Sequence, residues 1–508
     1  MKLKSRTKQL ILLFLSGIIV SIANAKLWIL FSCLGLIPLF VIQIRSSKRE
    51  IAINGFTFGF GVGLGLFHWM IEGTNNYTGN SQAFGLLITL ISTSFTGIYY
   101  GFLSWLTSFF WIKSTTSKFI YFINRLSIAA VWALIEFMMS HALEGFPLHN
   151  IRLGFSFASS LYLIQLASLG GLLVLSFLMV LINLFLAEFY ITKNIKFLFI
   201  SVVLPITLLI FGAINYNFYN PKKTEKSFKV AIVSDNTNPE IKWDSKNGNN
   251  LATTYFELCK EAASMHPDFI IWPESALPWS YSKDDDLLNE LISISKKNEA
   301  IHVIGVNQEN SLTQKTHNAA FFISNTNKVE GIYQKQILLK GIEQPIGNFI
   351  VPFLSQDGFV LSDGKNQKPI PTNFGKVGNL ICNEVVNEKC SAEQVKNGAN
   401  FFFNLSNDGW FKDTYISDLH FYYARLQAVE NRKDICVSNN CGINGIISSD
   451  GTIVSEKKDS KATCISGYIQ PNNNFSFFTK YSYFFPLLFS LLICINLFIN
   501  YKQFKNQF

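Results

Sequence analysis

Residues capable of acid–base and nucleophilic work stand at the ends of apolar runs in the C-terminal half of this sequence. IIWPESALPW carries Glu274 directly after Trp-Pro. GKVGNLICNEVV ends a run on Cys382, with Asn383 and Glu384 next. IYQKQILLKGIEQP holds Lys335, Lys340 and Glu343. Each has an ordinary reading when taken alone: a loop glutamate in water, a small buried thiol, a solvated basic loop. Taken together they suit acyl transfer. A carboxylate partly buried beside an aromatic ring and a proline is pushed toward the pKa of a general base. It can take the thiol proton and pass it between leaving and attacking groups. An ammonium favours thiolate and stabilises a tetrahedral oxyanion. This chemistry needs no histidine, and none of the seven present sits in a comparable context.

The remaining cysteines offer nothing that competes. Cys33 and Cys494 lie inside apolar stretches. Cys259, Cys390, Cys436, Cys441 and Cys464 are scattered without a CxxC pair. Their spacing matches neither a zinc site nor the disulfide framework of a small secreted domain. We expect no metal and no cofactor.

The elements that must position these residues follow from periodicity. Strand-length apolar runs recur at 228–234, 268–275, 301–306, 319–324, 376–382, 400–406, 434–440 and 444–449. Helical patterns lie between some of them, at 249–264, 285–299 and 417–433. Strands alternating with helices predict a layered α/β domain over 221–480.

The rest of the chain is of another kind. The protein is 49% hydrophobic and only 15% charged, with 48 phenylalanines, where a soluble protein carries about 25% charge. Apolar stretches at 9–25, 27–44, 52–71, 83–111, 127–142, 159–189, 197–214 and 482–500 are each near the length needed to cross ~30 Å of hydrocarbon. This predicts a membrane domain of seven helices over 1–220. A last helix and a tail over 481–508 make about eight crossings in all. Lys2, Lys4, Arg6 and Lys8 precede the first stretch, Arg45, Lys48 and Arg49 follow the second, and Lys113, Lys118 and Arg125 lie between the fourth and fifth. Lys193 and Lys196 follow the sixth, and Lys502 and Lys505 the last. All fall on one side if the N-terminus is cytoplasmic, which sets the 221–480 domain outside the cytoplasm. The net charge of +9 is then partly membrane anchoring, and we expect no nucleic-acid partner. The basic start, apolar stretch and Ala23-Asn24-Ala25 also fit a cleavable signal peptide, whose removal would leave every later segment on the same side.

WPES, the YQK segment, LICNE and NLSNDGWF…ARLQAVENRK…SNNCGINGII resemble the nitrilase superfamily. With seven spans before and one after, and with GFPLHNIRLGFSFA at 145–158 and NTNPEIKWD at 236–244, nearly the whole chain resembles the apolipoprotein N-acyltransferases. The resemblance implies an αββα sandwich outside the inner membrane of a bacterium and a triad on Glu274, Lys335 and Cys382. It implies supporting roles for Trp243, Asn318, Glu343, Glu384 and Trp410. It also implies that an acyl chain passes from a phospholipid, through a Cys thioester, to the α-amino group of a diacylglyceryl-cysteine on a lipoprotein. The partners would be those two lipids and the surrounding bilayer. Two positions depart from the family pattern. The common Tyr after the nucleophile is Asn383, and the usual Pro-Phe-Gly-Glu after the lysine is Lys340-Gly341-Ile342-Glu343. Two rivals remain: a membrane-tethered amidase using water, and an inactive lipoprotein-binding scaffold. About eight spans argue against the first, since soluble amides would need only one anchor. Retention of all three triad residues argues against the second.

Overall fold

A computed structural model of the chain describes residues 5–78, 82–111, 117–146, 151–219, 227–242, 244–310, 312–347, 360–365, 367–412 and 414–505. Among them, seven helices are long and apolar enough to cross a membrane: Arg6–Ala25, Lys48–Phe67, Gln82–Phe110, Lys118–Ala142, Leu163–Thr192, Ile195–Phe218 and Phe484–Tyr501. The stretch expected as the second span is different. It forms two seven-residue helices, Ile29–Gly35 and Ile37–Gln43, that meet at Leu36, with Pro38 in the first turn of the latter, where a missing N–H costs least. Packing shows what this pair does. Gly61 abuts Phe14 and Ile18, and Gly65 approaches Ser21. Helices Arg6–Ala25 and Lys48–Phe67 therefore run parallel, their backbones brought close by glycine. Parallel neighbours require the chain to return across the layer between them, and the broken pair makes that return.

Helix Lys118–Ala142 starts nine residues earlier than its apolar run suggests. Arg125, expected as a loop anchor, is buried in it and pairs with Glu188 on Leu163–Thr192 at 2.5 Å. Paired charges can stay inside a bundle where a lone one cannot, so hydropathy alone places this boundary too late.

The α/β domain has twelve strands: β1 (Phe228–Ser234), β2 (Phe269–Ile271), β3 (Ile301–Asn310), β4 (Lys315–Ile323), β5 (Val329–Gln334), β6 (Ile370–Thr372), β7 (Gly375–Ile381), β8 (Phe401–Asn407), β9 (Ile435–Asn440), β10 (Ile443–Ile447), β11 (Ile453–Lys458) and β12 (Thr463–Ile469). They form two six-stranded sheets, β12-β1-β2-β3-β4-β5 and β11-β10-β9-β8-β7-β6. Pairing is parallel through β1-β2-β3 and through β7-β8-β9. Side chains alternate faces along each strand. Val230, Ile232, Phe269, Ile271, Val377, Ile381, Phe401 and Phe403 thus meet in the layer between the sheets. Ala231, Val233, Ile270 and Trp272 face the helices Gly248–Ser264 and Asp286–Ser295.

On the other outer face, Leu380, Phe402, Ile435 and Val437 join helix Ile416–Asn431 and the membrane helices in one apolar cluster. Polar ties reinforce this junction. Helix Leu163–Thr192 breaks at Gly170 and Gly171, where φ is +62° at Gly171, a conformation glycine adopts without penalty. The break frees the Leu172 N–H, which donates to Glu430 at 2.9 Å. Arg425 donates to the carbonyls of Ala158 and Ser159, and Arg432 to Gln165, Ser168 and Asn215. ARLQAVENRK is therefore a docking surface for the membrane helices.

Candidate active site

The C-terminal ends of parallel strands open at one edge of the sandwich, and the chemistry-bearing residues gather there. Glu274 lies three residues past β2, lifted by Trp272-Pro273. Gly305 of β3 makes room for it: a Cβ there would stand 2.3 Å from the Pro273 carbonyl and 2.6 Å from the Glu274 Cα. Lys335 directly follows β5, and its backbone N–H donates to the Asn318 carbonyl of β4 at 2.8 Å. Cys382 directly follows β7 in the opposite sheet. Its φ of +51° is a left-handed conformation that costs a non-glycine residue on the order of 1 kcal/mol or more. The turn holds it there, and the thiol is only 5% exposed.

The polar contacts bind these parts into one set. Lys335 Nζ donates to Glu274 Oε1 at 3.2 Å and to Glu343 Oε1 at 2.9 Å. Asn318 Nδ2 donates to the same Glu274 oxygen at 2.6 Å. Glu343 reaches Lys335 despite the altered turn that precedes it. Its other oxygen accepts the Leu339 N–H at 2.7 Å, and Gly341, at φ +85°, closes the loop. All three candidate triad residues are buried.

Burial sets the electrostatics. It raises the Glu274 pKa; Lys335 opposes that rise, Glu343 adds to it, and the Asn318 hydrogen bond moderates it. Burial also lifts the Cys382 thiol well above its usual range. Glu274 pushes it further and Lys335 pulls it back, with Asp408 and Glu343 adding smaller rises. Burial opposes the Lys335 charge, but Glu274, Glu343 and the Cys382 sulfur outweigh it and hold the ammonium well above its normal pKa. At rest the site contains a protonated thiol, a firmly charged lysine and a carboxylate of raised basicity.

Glu384 does a different job. Its Oε1 accepts the N–H groups of Gln336 (2.6 Å) and Ile337 (3.2 Å), and its Oε2 accepts the Ile381 N–H (2.7 Å) and the Tyr333 hydroxyl (3.0 Å). It straddles the residues beside Cys382 and those beside Lys335, fixing one sheet's edge against the other. Burial lifts its carboxyl to about 7, against those backbone hydrogen bonds and Lys335.

The other expected residues divide. Asn383 is buried and lines a cleft that reaches the membrane helices. Trp410 is half-buried in the turn Gly409–Phe411, whose backbone packs by Gly73, so it stands on the membrane-helix side. Trp243 lies outside the described residues. The sequence did not single out Tyr333, or Asp408 with its partners His420 (2.8 Å) and Asn439 (2.6 Å). The NDG of NLSNDGWF at the end of β8 was the available signal for the latter.

The cleft is partly open to the outside. Ile337, Asn383 and Val386 form its domain wall. Tyr99, Glu136, Gly145, Phe146 and Arg152 belong to the membrane-helix side. The cleft thus lies between the bundle and residues that follow Cys382 and Lys335 in the chain.

Comparison with known proteins agrees in both halves. Residues 16–185 match the apolipoprotein N-acyltransferase N-terminal domain, and residues 229–473 match carbon-nitrogen hydrolase. The chain is similar to the apolipoprotein N-acyltransferase of Geobacter metallireducens, at 26% identity over 92% of this chain and 90% of that one. It is likewise similar to that of Haemophilus ducreyi, at 25% over 89% and 88%. Among solved structures it is similar to Saccharomyces cerevisiae Nit3 of the nitrilase superfamily, at 18% identity and a TM-score of 0.38, covering 51% of this chain and 94% of that one.

Proposed function

We propose that this chain, which belongs to the apolipoprotein N-acyltransferase family and carries a carbon-nitrogen hydrolase domain, acylates lipoproteins through a thioester on Cys382. The donor is a phospholipid and the acceptor is the α-amino group of a diacylglyceryl-cysteine. The observation that carries this reading is the convergence of Glu274, Lys335, Asn318 and Glu343 at the strand ends where Cys382 emerges, beside a cleft shared with membrane helices.

In the first half-reaction the Cys382 sulfur attacks the ester carbonyl as Glu274 takes the thiol proton. The Lys335 ammonium stabilises the oxyanion that develops. Collapse breaks the C–O bond, and Glu274 returns the proton to the leaving alkoxide, releasing a lysophospholipid. In the second half-reaction the acceptor amine attacks the thioester carbonyl. Its proton passes through Glu274 to the departing thiolate, leaving an amide and the free enzyme. Glu343 and Asn318 position Lys335 and Glu274, and Glu384 holds the Cys382 turn.

The multi-pass architecture suits two lipid substrates. The basic loops favour residues 221–480 outside the cytoplasm, which for this family means the periplasmic face of a bacterial inner membrane, between a membrane domain at 1–220, with six long apolar helices and the broken pair among the described residues, and the closing helix and tail at 481–508. A water-using amidase is disfavoured by the cleft, most of whose wall comes from the membrane domain. Mass spectrometry of the purified protein incubated with phospholipid tests the reading. An acyl adduct on the Cys382 peptide is expected, discharged by a diacylglyceryl peptide. Its absence under conditions that keep the protein folded rejects the reading.

A further inference from the structure

Three of the four donors that converge on the Glu384 carboxylate come from the neighbouring sheet and the loop that leaves it. They are the Tyr333 hydroxyl at 3.0 Å and the backbone N–H groups of Gln336 and Ile337 at 2.6 and 3.2 Å. The fourth is the Ile381 N–H at 2.7 Å, one residue before the nucleophile. No strand of one described sheet pairs with a strand of the other. The Cys382 turn is therefore held against the Lys335 loop by side-chain packing and by bonds of this kind.

Of the four donors only Tyr333 is a side chain. It lies on β5, two residues before Lys335. Its ring is fully buried between the sheets, in the apolar cluster that also holds Ile381 and Cys382. Gln336 Nε2 donates to the hydroxyl oxygen at 3.1 Å and so turns its proton toward Glu384. Burial lifts the phenol well above its usual range, with Cys390 and Glu384 adding to the rise, so the hydroxyl stays a donor throughout the working pH range.

The titratable groups that face Glu384 from its surroundings are Lys335, Tyr333 and Cys390. Lys335 stays charged. Burial pushes the Cys390 thiol well above its usual range, which keeps it neutral. Ionised, Glu384 accepts all four donors at once. Protonated, its own O–H meets three N–H groups and a hydroxyl that must turn round to accept it.

Resting on the reaction proposed above, we infer that Tyr333 is a positioning residue for acylation: its hydroxyl holds the Glu384 carboxylate across the gap between the sheets and so keeps the Cys382 turn and the Lys335 loop in register. Tyr333 does not touch the reacting atoms. It acts through Glu384, and its contribution exists in full only while that carboxyl is ionised.

The test compares the full-length parent with Tyr333→Phe, which keeps the ring and removes the hydroxyl. Acyl-enzyme formation from phospholipid is followed in single turnovers from pH 6 to pH 9. The Glu384 carboxyl titrates at about 7, and removing a donor to its ionised form raises that value. The expected rise is about one pH unit, the order of one hydrogen bond to a charged group. The variant is therefore expected to be about tenfold slower than the parent at pH 6 and close to it at pH 9. The donor concentration giving half the maximal rate is expected to stay the same. The titration of Glu274 is common to both proteins and cancels in the ratio. A ratio near one throughout overturns the inference, and so does a loss that is equal at every pH, since a packing defect alone gives that result.

A second arm needs no chemistry. The Tm difference between parent and Tyr333→Phe is expected to widen as pH rises from 6 to 9, because the lost bond is strongest to the carboxylate. A difference independent of pH overturns the inference whether or not an acyl-enzyme forms. If Tyr333→Phe does not fold, Gln336→Leu replaces it in both arms. That change removes the amide that orients the hydroxyl and keeps the backbone N–H. A rate deficit that closes toward pH 9 supports the inference, and a constant one overturns it. A parent that forms no acyl-enzyme rejects the proposed reaction, and the Tm arm then decides the role of Tyr333.

Discussion

Lys335 Nζ lies 3.2 Å from Glu274 Oε1, both side chains withdrawn from solvent, just past the ends of two strands of the same sheet. The pair joins the base of the proposed reaction to its oxyanion donor. Removing Lys335 leaves two buried carboxylates without their cation, whereas removing Glu274 leaves Lys335 its contact with Glu343; loss of one partner costs about 3–5 kcal/mol in comparable buried pairs. The variants that test the mechanism must therefore be neutral isosteres, or be checked for folding.

Glu274→Gln keeps the Asn318 and Lys335 contacts in outline and removes the proton acceptor. Acyl-enzyme formation is expected to fall below detection while the protein still inserts and unfolds cooperatively. An adduct formed at the parent rate takes Glu274 out of its role as base.

Lys335 and Lys340 separate cleanly in space. Lys335 faces two carboxylates in the site, whereas the Lys340 ammonium stands 5.2 Å from the centre of the Phe146 ring and the Lys340 backbone N–H donates to the Gly145 carbonyl. Loss of an oxyanion donor costs about 100- to 1000-fold in rate. Lys335→Ala is expected to lose at least that much, and Lys340→Ala far less. The reverse order in a single-turnover assay assigns the oxyanion to the wrong lysine.

Cys382→Ser is expected to form no adduct, since a serine hydroxyl in the same environment is too weak an acid for Glu274 to activate. Cys441→Ser, at a half-buried position in another turn, keeps most activity. Near-parental transfer by Cys382→Ser, followed by peptide mapping, would remove the thioester from the mechanism.

Glu384 gives a pH signature. Its carboxyl titrates at about 7 in the native state and near 4.3 in an unfolded chain. Between those values the native state holds a proton that the unfolded state has released, so this group's contribution to stability falls as pH rises through the window. Glu384→Gln cannot titrate, and its amide sets N–H against the N–H groups that Glu384 accepts. It should be less stable than the parent at pH 5, with the difference in Tm narrowing toward pH 7.5. A widening difference means that the native carboxyl is ionised throughout.

Orientation is checked at Asn249, which is exposed at the start of helix Gly248–Ser264. Asn249→Cys, compared with the parent, is expected to react in intact spheroplasts with a thiol reagent that cannot cross the membrane. Labelling that appears only after lysis reverses the topology.

The inner strands were legible in the sequence, and the outer ones were not. Runs at 228–234, 268–275, 301–306, 319–324, 376–382, 400–406, 434–440 and 444–449 correspond to β1–β4 and β7–β10. The four strands without a recognised run, β5, β6, β11 and β12, are the four edges of the two sheets. An edge strand has one neighbour and carries polar or charged residues that discourage further pairing. IVSEKK of β11 is the clear case, so no continuous apolar signal exists to read. The site was legible where chemistry marks a residue, as at Glu274 and Cys382. It was not legible where a residue acts through distant partners. Glu384 binds backbone N–H groups nearly fifty positions upstream, and Arg152 meets Glu388 more than two hundred positions away. Such pairings exist only once both sheets and the bundle are assembled.

The apolar cluster that runs unbroken from the membrane helices through Ile416–Asn431 into the second sheet leaves the two halves no plane along which to part. Whatever reaches Cys382 must then do so without the α/β domain swinging away from the bundle, so access rests on side chains and loops at the cleft and not on a hinge between the halves.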